Sequence, residues 1–396
     1  MVAGTSRNGD SLEKQHTSGE VGESIVNELP SDDFTPSPVE QERLATFHDQ
    51  VAQDSSPDDV QIAYITDTHI DSYQTPSTAR VLHSMMLMSW YAKTYGVDLV
   101  VHGGDLNDGV KPKELSEIDV KRGVDAIKLS RRPYIILQGN HDDNSGYVRD
   151  VAGYQTDQLI TNAEAWNLRG SSTLNRATGT DNPNDAVFGT YKLPNSNVTI
   201  VVLDGFDQPD VRLYNTSSND GIHFGSFRHG YTHYSTQQHD WLVQTLNDMP
   251  TGEKVLFINH ISLNGISLND WAVSRTNWFE NNTNTNQAGV DESNAMYSAI
   301  TSFQARTGNG IGYLAGHTHM DNNAVSGGIQ FITQTAGVAD KQGDRGQTNA
   351  NISTTDHENN AWSIFKISTS DGSAHQYRFG WDASGVRKNS WNFTSD

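Results

Sequence analysis

From residue 60 onward, short apolar runs recur and each breaks off into polar residues. They read QIAYIT (61–66), DLVVHG (98–103), YIILQG (134–139), VTIVVLDG (198–205), KVLFIN (254–259) and IGYLAG (311–316). Val, Ile, Tyr and Phe dominate them. Their apolar character is continuous rather than alternating, which suits strands covered on both faces. Helical spacing appears between them. STARVLHSMMLMSWYAKTY (77–95) opens on a serine and closes before Gly96, and residues 114–130 and 237–249 are further predicted helices. This alternation predicts an α/β fold. Later, GIQFITQTAG, AWSIFKIST and AHQYRFGW read as strands, the last two as a hairpin turning at Asp371-Gly372.

Residues 1–58 have a different texture. Ser, Pro and acidic residues are frequent and apolar ones sparse. Such a segment buries too little surface to offset its chain entropy, so it is expected to be disordered. VEQERLATFHDQVAQ (39–53) could form a short helix, but a solvated linker is the preferred reading. The segment could also tether the domain to a larger assembly. Residues 59–396 are expected to form a single domain.

Charge and cysteine content narrow the function. The chain has 396 residues and a net charge of −21. An acidic surface repels polyanions, so no nucleic acid is expected as a partner. The absence of cysteine excludes disulfides, Cys-ligated zinc and a thiol nucleophile. It fits a soluble extracellular or virion protein better than a cytoplasmic one. No apolar run is long enough to span a membrane. The stretch MVAGTSRNGDSLEKQ lacks the apolar core of an export signal.

The chemistry lies just past the end of each apolar run. YIT runs into Asp67-Thr68-His69. VVHGG runs into Asp105, with Asn107 and Asp108 beyond. IILQG runs into Asn140 and His141, LFIN into His260, and YLAG into His317-Thr318-His319. A near pair of histidines means little among 15. Recurrence at five strand ends means more, because the C-terminal edge of an α/β sheet is where sites form. Glycines precede Asp105, Asn140 and His317 and let the backbone turn sharply. Two Asp, one Asn and four His make an oxygen and nitrogen donor set without sulfur. Such a set suits manganese, iron or zinc more than calcium or magnesium. Seven donors exceed the needs of one tetrahedral ion, whereas two ions sharing a bridging carboxylate use them naturally.

The order Asp-x-His, Gly-Asp-x-x, Gly-Asn-His-Asp, a single His, then Gly-His-x-His resembles the calcineurin-like metallophosphoesterase family. The resemblance spans residues 61–319 and extends through the closing strands to about 380. It implies a four-layer α-β-β-α sandwich of two mixed sheets with flanking helices. It implies two metal ions per chain: Asp67, His69 and His319 around the first, Asn140, His260 and His317 around the second, and Asp105 between them. Manganese or iron is expected, with zinc as the alternative. The implied reaction is hydrolysis of a small phosphate ester, preferentially a phosphodiester. A metal-bridging hydroxide attacks phosphorus, and His141 assists the leaving group.

Asp108 matches the Asp that pairs with the catalytic histidine in the protein-phosphatase branch, so it is the candidate for orienting His141. A turn-forming Asp before Gly109 is the alternative. The purple acid phosphatases carry a metal-binding Tyr at this position. The Ser/Thr protein phosphatases carry Arg after this Asp and Glu after the Asn-His, where this chain has Gly109 and Asp142. Both branches are therefore disfavoured. Phosphodiesterases and phosphomonoesterases remain, and a nuclease is a further alternative that the charge disfavours. A virion or cell-surface protein that binds a phosphorylated polymer, with secondary hydrolysis, is the alternative from another class. His223, His229 and Tyr231 are candidate substrate contacts in a His- and aromatic-rich loop. Residues 264–296 form an expected insertion whose Trp271 and Trp278 could wall the pocket. His102, inside a strand, is expected to pack or to support a ligand.

Overall fold

The computed structural model describes residues 30–53, 55–73, 75–171, 173–210, 213–214, 223–224, 232–263, 286–319, 321–337, 361–370, 372–380 and 387–391. Two mixed sheets form the centre. The first contains β1 (Val60–Ile65), β2 (Leu99–His102) and β3 (Tyr134–Ile136), which run parallel. It continues from β1 through antiparallel β13 (Ala361–Ile367), β14 (Ala374–Gly380) and β15 (Arg387–Trp391). In the second sheet, β6 (Val198–Val202), β9 (Lys254–Ile258), β10 (Gly310–Ala315) and β12 (Ile329–Thr333) are parallel neighbours. Antiparallel β11 (Asn322–Ser326) closes one side. β5 (Gly189–Lys192) and β4 (Asn175–Arg176) close the other. A two-residue pair, β7 (Leu213–Tyr214) with β8 (His223–Phe224), stands apart.

Three apolar layers hold the sheets and helices together. Ile62, Tyr64, Leu99, Val101 and Ile135 meet Ile200, Val202, Leu256 and Ile258 between the sheets. The outer face of the first sheet packs on α1 (Pro38–Ala52), α2 (Thr75–Tyr95) and α3 (Lys113–Lys128). The outer face of the second packs on α6 (Thr236–Asp248) and α7 (Asn286–Thr307). Two short helices, α4 (Ser145–Asp150) and α5 (Asn162–Arg169), come after β3. The result is the expected four-layer α-β-β-α arrangement. The predicted strands and helices appear with ends shifted by up to four residues.

Two segment assignments need correction. Residues 39–53 are not a solvated linker: they make up most of α1, which packs on the first sheet. A capping box starts α1: the Ser37 hydroxyl accepts from the Glu40 amide, and the Glu40 side chain accepts from the Ser37 amide. Leu44, Phe47 and Val51, at helical spacing, are buried. Phe47 lies within 5.5 Å, centroid to centroid, of Tyr91, Trp362 and Phe379. Burying three such side chains contributes about 2 kcal/mol each. That tertiary gain stabilises a helix that local composition alone does not support. Residues 1–29, the remainder of the expected tether, lie outside the described residues. The expected insertion also runs into a helix. Residues 286–296 begin α7, whose Met296, Ile300 and Phe303 pack on the second sheet, while 264–285, with Trp271 and Trp278, lie outside the described residues.

β1, β2 and β3 end at the same edge as β9 and β10. Beyond that edge the chain crosses between sheets. The His260 ring Nδ1 lies 2.8 Å from the Gly103 carbonyl, and the His317 amide donates to both oxygens of Asp67 at 2.9 Å. No helix among the described residues is long and apolar enough to cross a membrane.

Candidate metal centre

The loops after the parallel strands adopt a backbone that most residues avoid. Asp67 (φ 52°), His69 (44°), Asp105 (52°), His317 (72°) and His319 (57°) all lie in the left-handed region. Non-glycine residues there are uncommon, and such strain gathers at functional sites. Five of the seven predicted donors therefore share one unusual conformation. The loops after β1 and β2 run side by side through hydrogen bonds from Asp67 N to Gly104 O (3.0 Å), His69 N to Asp105 O (3.0 Å) and Ile70 N to Leu106 O (2.9 Å). Glycine is required at the crossing points. A Cβ on Gly139 would come within 2.1 Å of the Asp105 amide nitrogen.

The predicted donors converge. Asp67, His69 and His319 form one group able to hold a cation. Asp105, His260 and His317 form a second, and His69, Asp105 and His141 a third that overlaps both. His69 Nε2 lies 2.9 Å from His319 Nε2 and 3.6 Å from Asp105 Oδ2. His319 Nε2 is 3.5 Å from Asp67 Oδ1. His260 Nε2 is 3.3 Å from both Asp105 Oδ2 and Asn140 Oδ1. Donors about 2.1 Å from one ion, at angles between 90° and tetrahedral, stand roughly 3.0–3.4 Å apart. The observed spacings cluster around that range. His317 Nδ1 is buried without a hydrogen-bond partner, as expected of a nitrogen kept for something other than protein. The residues present thus fit a pair of cations.

Electrostatics agree. Burial opposes charge on Asp105, yet the facing rings of His260, His141 and His69 outweigh it and hold the carboxyl well below its ordinary value. Burial likewise opposes charge on His69 and His260. Hydrogen bonding and charge from Asp108, with the charges of Asp105 and Asp67, push His69 up to about 9; Asp105 and Asp67 do the same to His260. Burial and the neighbouring His260 push His317 well down. In a cation-free site, protons take the place of positive charge.

Two supporting histidines have defined roles. His102 is buried and its Nδ1 accepts from the Gly104 amide at 3.2 Å, so Nε2 carries the proton and donates to Thr68 Oγ1 at 3.0 Å. Burial, reinforced by His260, pushes its pKa down to about 3. It supports the ligand loops as a neutral ring. His141 takes its orientation from the backbone: Nδ1 lies 2.7 Å from the Asp108 carbonyl oxygen, and its amide donates to Asp105 Oδ1 at 2.9 Å. The Asp108 carboxylate was expected to face His141. Its Oδ1 lies 3.3 Å from His69 Nδ1, on the side of the ring away from the Nε2 that faces His319 and Asp105.

Sequence reasoning missed a central residue. Asp142 is fully buried, and its carboxylate accepts four backbone amides: Gly139 (2.7 Å), Asp105 (3.0 Å), Leu106 (2.8 Å) and Asn107 (3.2 Å). It ties the loop bearing Asp105 to the loop bearing Asn140 and His141. An acid directly after Asn-His inside a glycine turn was the available signal. Of the three candidate substrate contacts, only His223 is among the described residues, and there by its backbone alone, in β8. His229 and Tyr231 lie outside the described residues.

A family model for calcineurin-like phosphoesterases matches residues 60–321. The chain belongs to that family. The fold is similar to that of a dimetal phosphatase from Danio rerio, with a TM-score of 0.54 and 14% identity over 85% of this chain and 99% of the other. A purple acid phosphatase, PPD1, from yellow lupin seeds aligns with a TM-score of 0.45 and 10% identity over 84% of this chain and 53% of the other. GAP50, described as the anchor in the inner membrane complex of Plasmodium, aligns with a TM-score of 0.43 and 11% identity, covering 85% and 90%. No curated protein matches. The likeness to the Danio rerio structure shows the fold alone, and the family assignment rests on the matched residues of this phosphoesterase.

Proposed function

We propose that this phosphoesterase hydrolyses small phosphodiesters at a centre of two divalent cations. Asp67, His69 and His319 would hold one ion, Asn140, His260 and His317 the other, and Asp105 would lie between them. Overlap of the three donor groups at Asp105 and His69 is the observation that carries this reading. The oxygen and nitrogen donors favour manganese or iron, with zinc as the alternative. A bound pair of such ions supplies Lewis acidity, polarising a phosphoryl oxygen and activating water as nucleophile.

The chain's own residues do the rest. A carbonyl oxygen only accepts, so His141 Nδ1 carries the proton that the Asp108 carbonyl receives. Nε2 is then the nitrogen free to act toward substrate, and it can pass a proton to a departing alkoxide when the ring carries a proton on both nitrogens. The Asp108 carboxylate lies beside His69 Nδ1 at 3.3 Å. Gly109 comes directly after Asp108, so no guanidinium arises there to meet the second charge of a monoester, which favours the singly charged diester.

The test compares bis-p-nitrophenyl phosphate with p-nitrophenyl phosphate under added manganese. The diester is expected to be the better substrate, and Asp105→Asn and His141→Ala should each lose at least about a hundredfold in kcat, the scale of a general acid–base contribution. Full activity in Asp105→Asn refutes the shared-ligand role.

A further inference from the structure

His319 is more exposed than the buried donors around it. Its side chain is 28% exposed, whereas those of Asp67, Asp105 and His260 are at most 1% exposed. The two histidines of the Gly-His-x-His turn are also held differently. The His317 amide donates to both oxygens of Asp67. The His319 carbonyl instead accepts from Thr335 Oγ1 at 2.8 Å, and the Thr335 amide donates to Asp321 Oδ1 at 3.1 Å. Asp321 in turn meets Arg378 of β14 in a two-pronged contact, Nη2 to Oδ1 at 2.7 Å and Nη1 to Oδ2 at 3.3 Å.

Arg378 is 2% exposed and lies in the other sheet. Its Nε donates to Ser363 Oγ of β13 at 2.9 Å, and Gln376 donates to the same hydroxyl at 3.1 Å. The guanidinium is thus fixed on the first sheet by one nitrogen and grips the second with two. Its fork geometry matches a carboxylate, which a point charge would not reproduce. A buried ion pair adds little net stability over well-packed apolar residues. Its place two residues from a ligand needs another reason. Arg378 also lies outside residues 60–321, where the family match ends.

From this chain of contacts we infer that Arg378 is a positioning residue. Through Asp321 and Thr335 it fixes the His319 backbone, and so acts first on the pocket made by Asp67, His69 and His319 rather than on that of His260 and His317. The inference rests on the two-cation reading and assigns a separate control to one half of the centre.

The experiment titrates EDTA-stripped full-length protein with Mn²⁺ alone, following heat by calorimetry and ion pairing by electron paramagnetic resonance. Wild type should take up two ions with a spin-coupled signal. Arg378→Met should keep one ion at unchanged affinity, bind the other about 10–100-fold more weakly, the range for lost supporting contacts, and show only an uncoupled signal at low Mn²⁺. Asp321→Asn should behave alike, and Arg378→Lys should recover part of the affinity. Two ions at wild-type affinity in both Arg378→Met and Asp321→Asn would overturn the proposal. Equal weakening of both sites would overturn it too, because that is the signature of general destabilisation. Fewer than two ions in wild type removes the two-cation reading itself, and this proposal with it.

Discussion

Asp142→Asn tests whether one carboxylate organises the ligand loops. Oδ2 accepts the Gly139 and Asp105 amides, and Oδ1 accepts the Leu106 and Asn107 amides. An asparagine keeps one oxygen and turns an NH₂ toward the other pair. Two buried amides then face a donor. Hydrogen bonds to a charged group contribute about 1.5–3 kcal/mol each, so the loss should reach about 3–6 kcal/mol. Arg169, which is buried with its Nη2 3.7 Å from Asp142 Oδ2, also loses its counter-charge. A domain is stable by only about 5–15 kcal/mol, so this one atom exchange should consume a large share. Urea unfolding followed by tryptophan fluorescence, with and without saturating Mn²⁺, measures it. Asp142→Ala, which strands all four amides, should be at least as damaging. A loss under about 1 kcal/mol in Asp142→Asn would show that the amides find other acceptors and that the clamp is not what holds the loops.

Two further outcomes concern pH. Burial raises the pKa of Glu40, but bonds from His83 and from the hydroxyl and amide of Ser37 outweigh it and leave the group below its ordinary 4.5. A lowered carboxyl stabilises the fold above its unfolded value and loses that stabilisation as pH falls through the folded one. Glu40→Gln keeps an oxygen for the Ser37 amide but loses the charge facing His83, so it should be less stable than wild type at pH 7 by up to about 1 kcal/mol, the scale of a partly exposed ion pair, and the gap should close below pH 4.5. A gap unchanged at low pH would contradict the ionised contact. At the centre, His69 and His260 sit near 9 without cations, so both are protonated at neutral pH. Ions must displace those protons, and Mn²⁺ affinity should rise by about tenfold per pH unit for each proton displaced, up to about pH 9. Calorimetry in buffers of different ionisation heat counts the protons, and a flat affinity between pH 6 and 9 would contradict displacement of protons by cations.

The donors were legible because their signal is local. An apolar run that stops at Asp, Asn or His marks a strand end, and parallel strands bring such ends to one edge. β11 was not legible: its NNAVS sequence is polar and its residues alternate between half-buried and exposed, so no apolar pattern announces it. α1 was misread because the partners of Phe47 stand as far away in sequence as Trp362 and Phe379. Asp142 and Arg378 escaped for a related reason. The composition of Gly-Asn-His-Asp cannot reveal that the last carboxylate points back to four amides. Nor can the alternation of AHQYRFG reveal that its arginine crosses to an aspartate 57 residues earlier.

Those hidden residues explain how the visible ones can exist. Left-handed backbone at a non-glycine residue costs on the order of 1–3 kcal/mol, and five donors adopt it. Free loops would relax into other conformations and scatter the side chains. Here each strained residue is tied to a partner on another element: Asp67 by the His317 amide, His69 by the Asp105 carbonyl, Asp105 by Asp142, and His319 by Thr335. The ties run between loops and between sheets, so no single loop can relax alone. The strain turns successive side chains inward from short loops, and the network spreads its cost over the whole edge. A donor set of this kind is a property of the joined sheets, which is why the residues that touch no cation carry as much of the design as those placed to hold one.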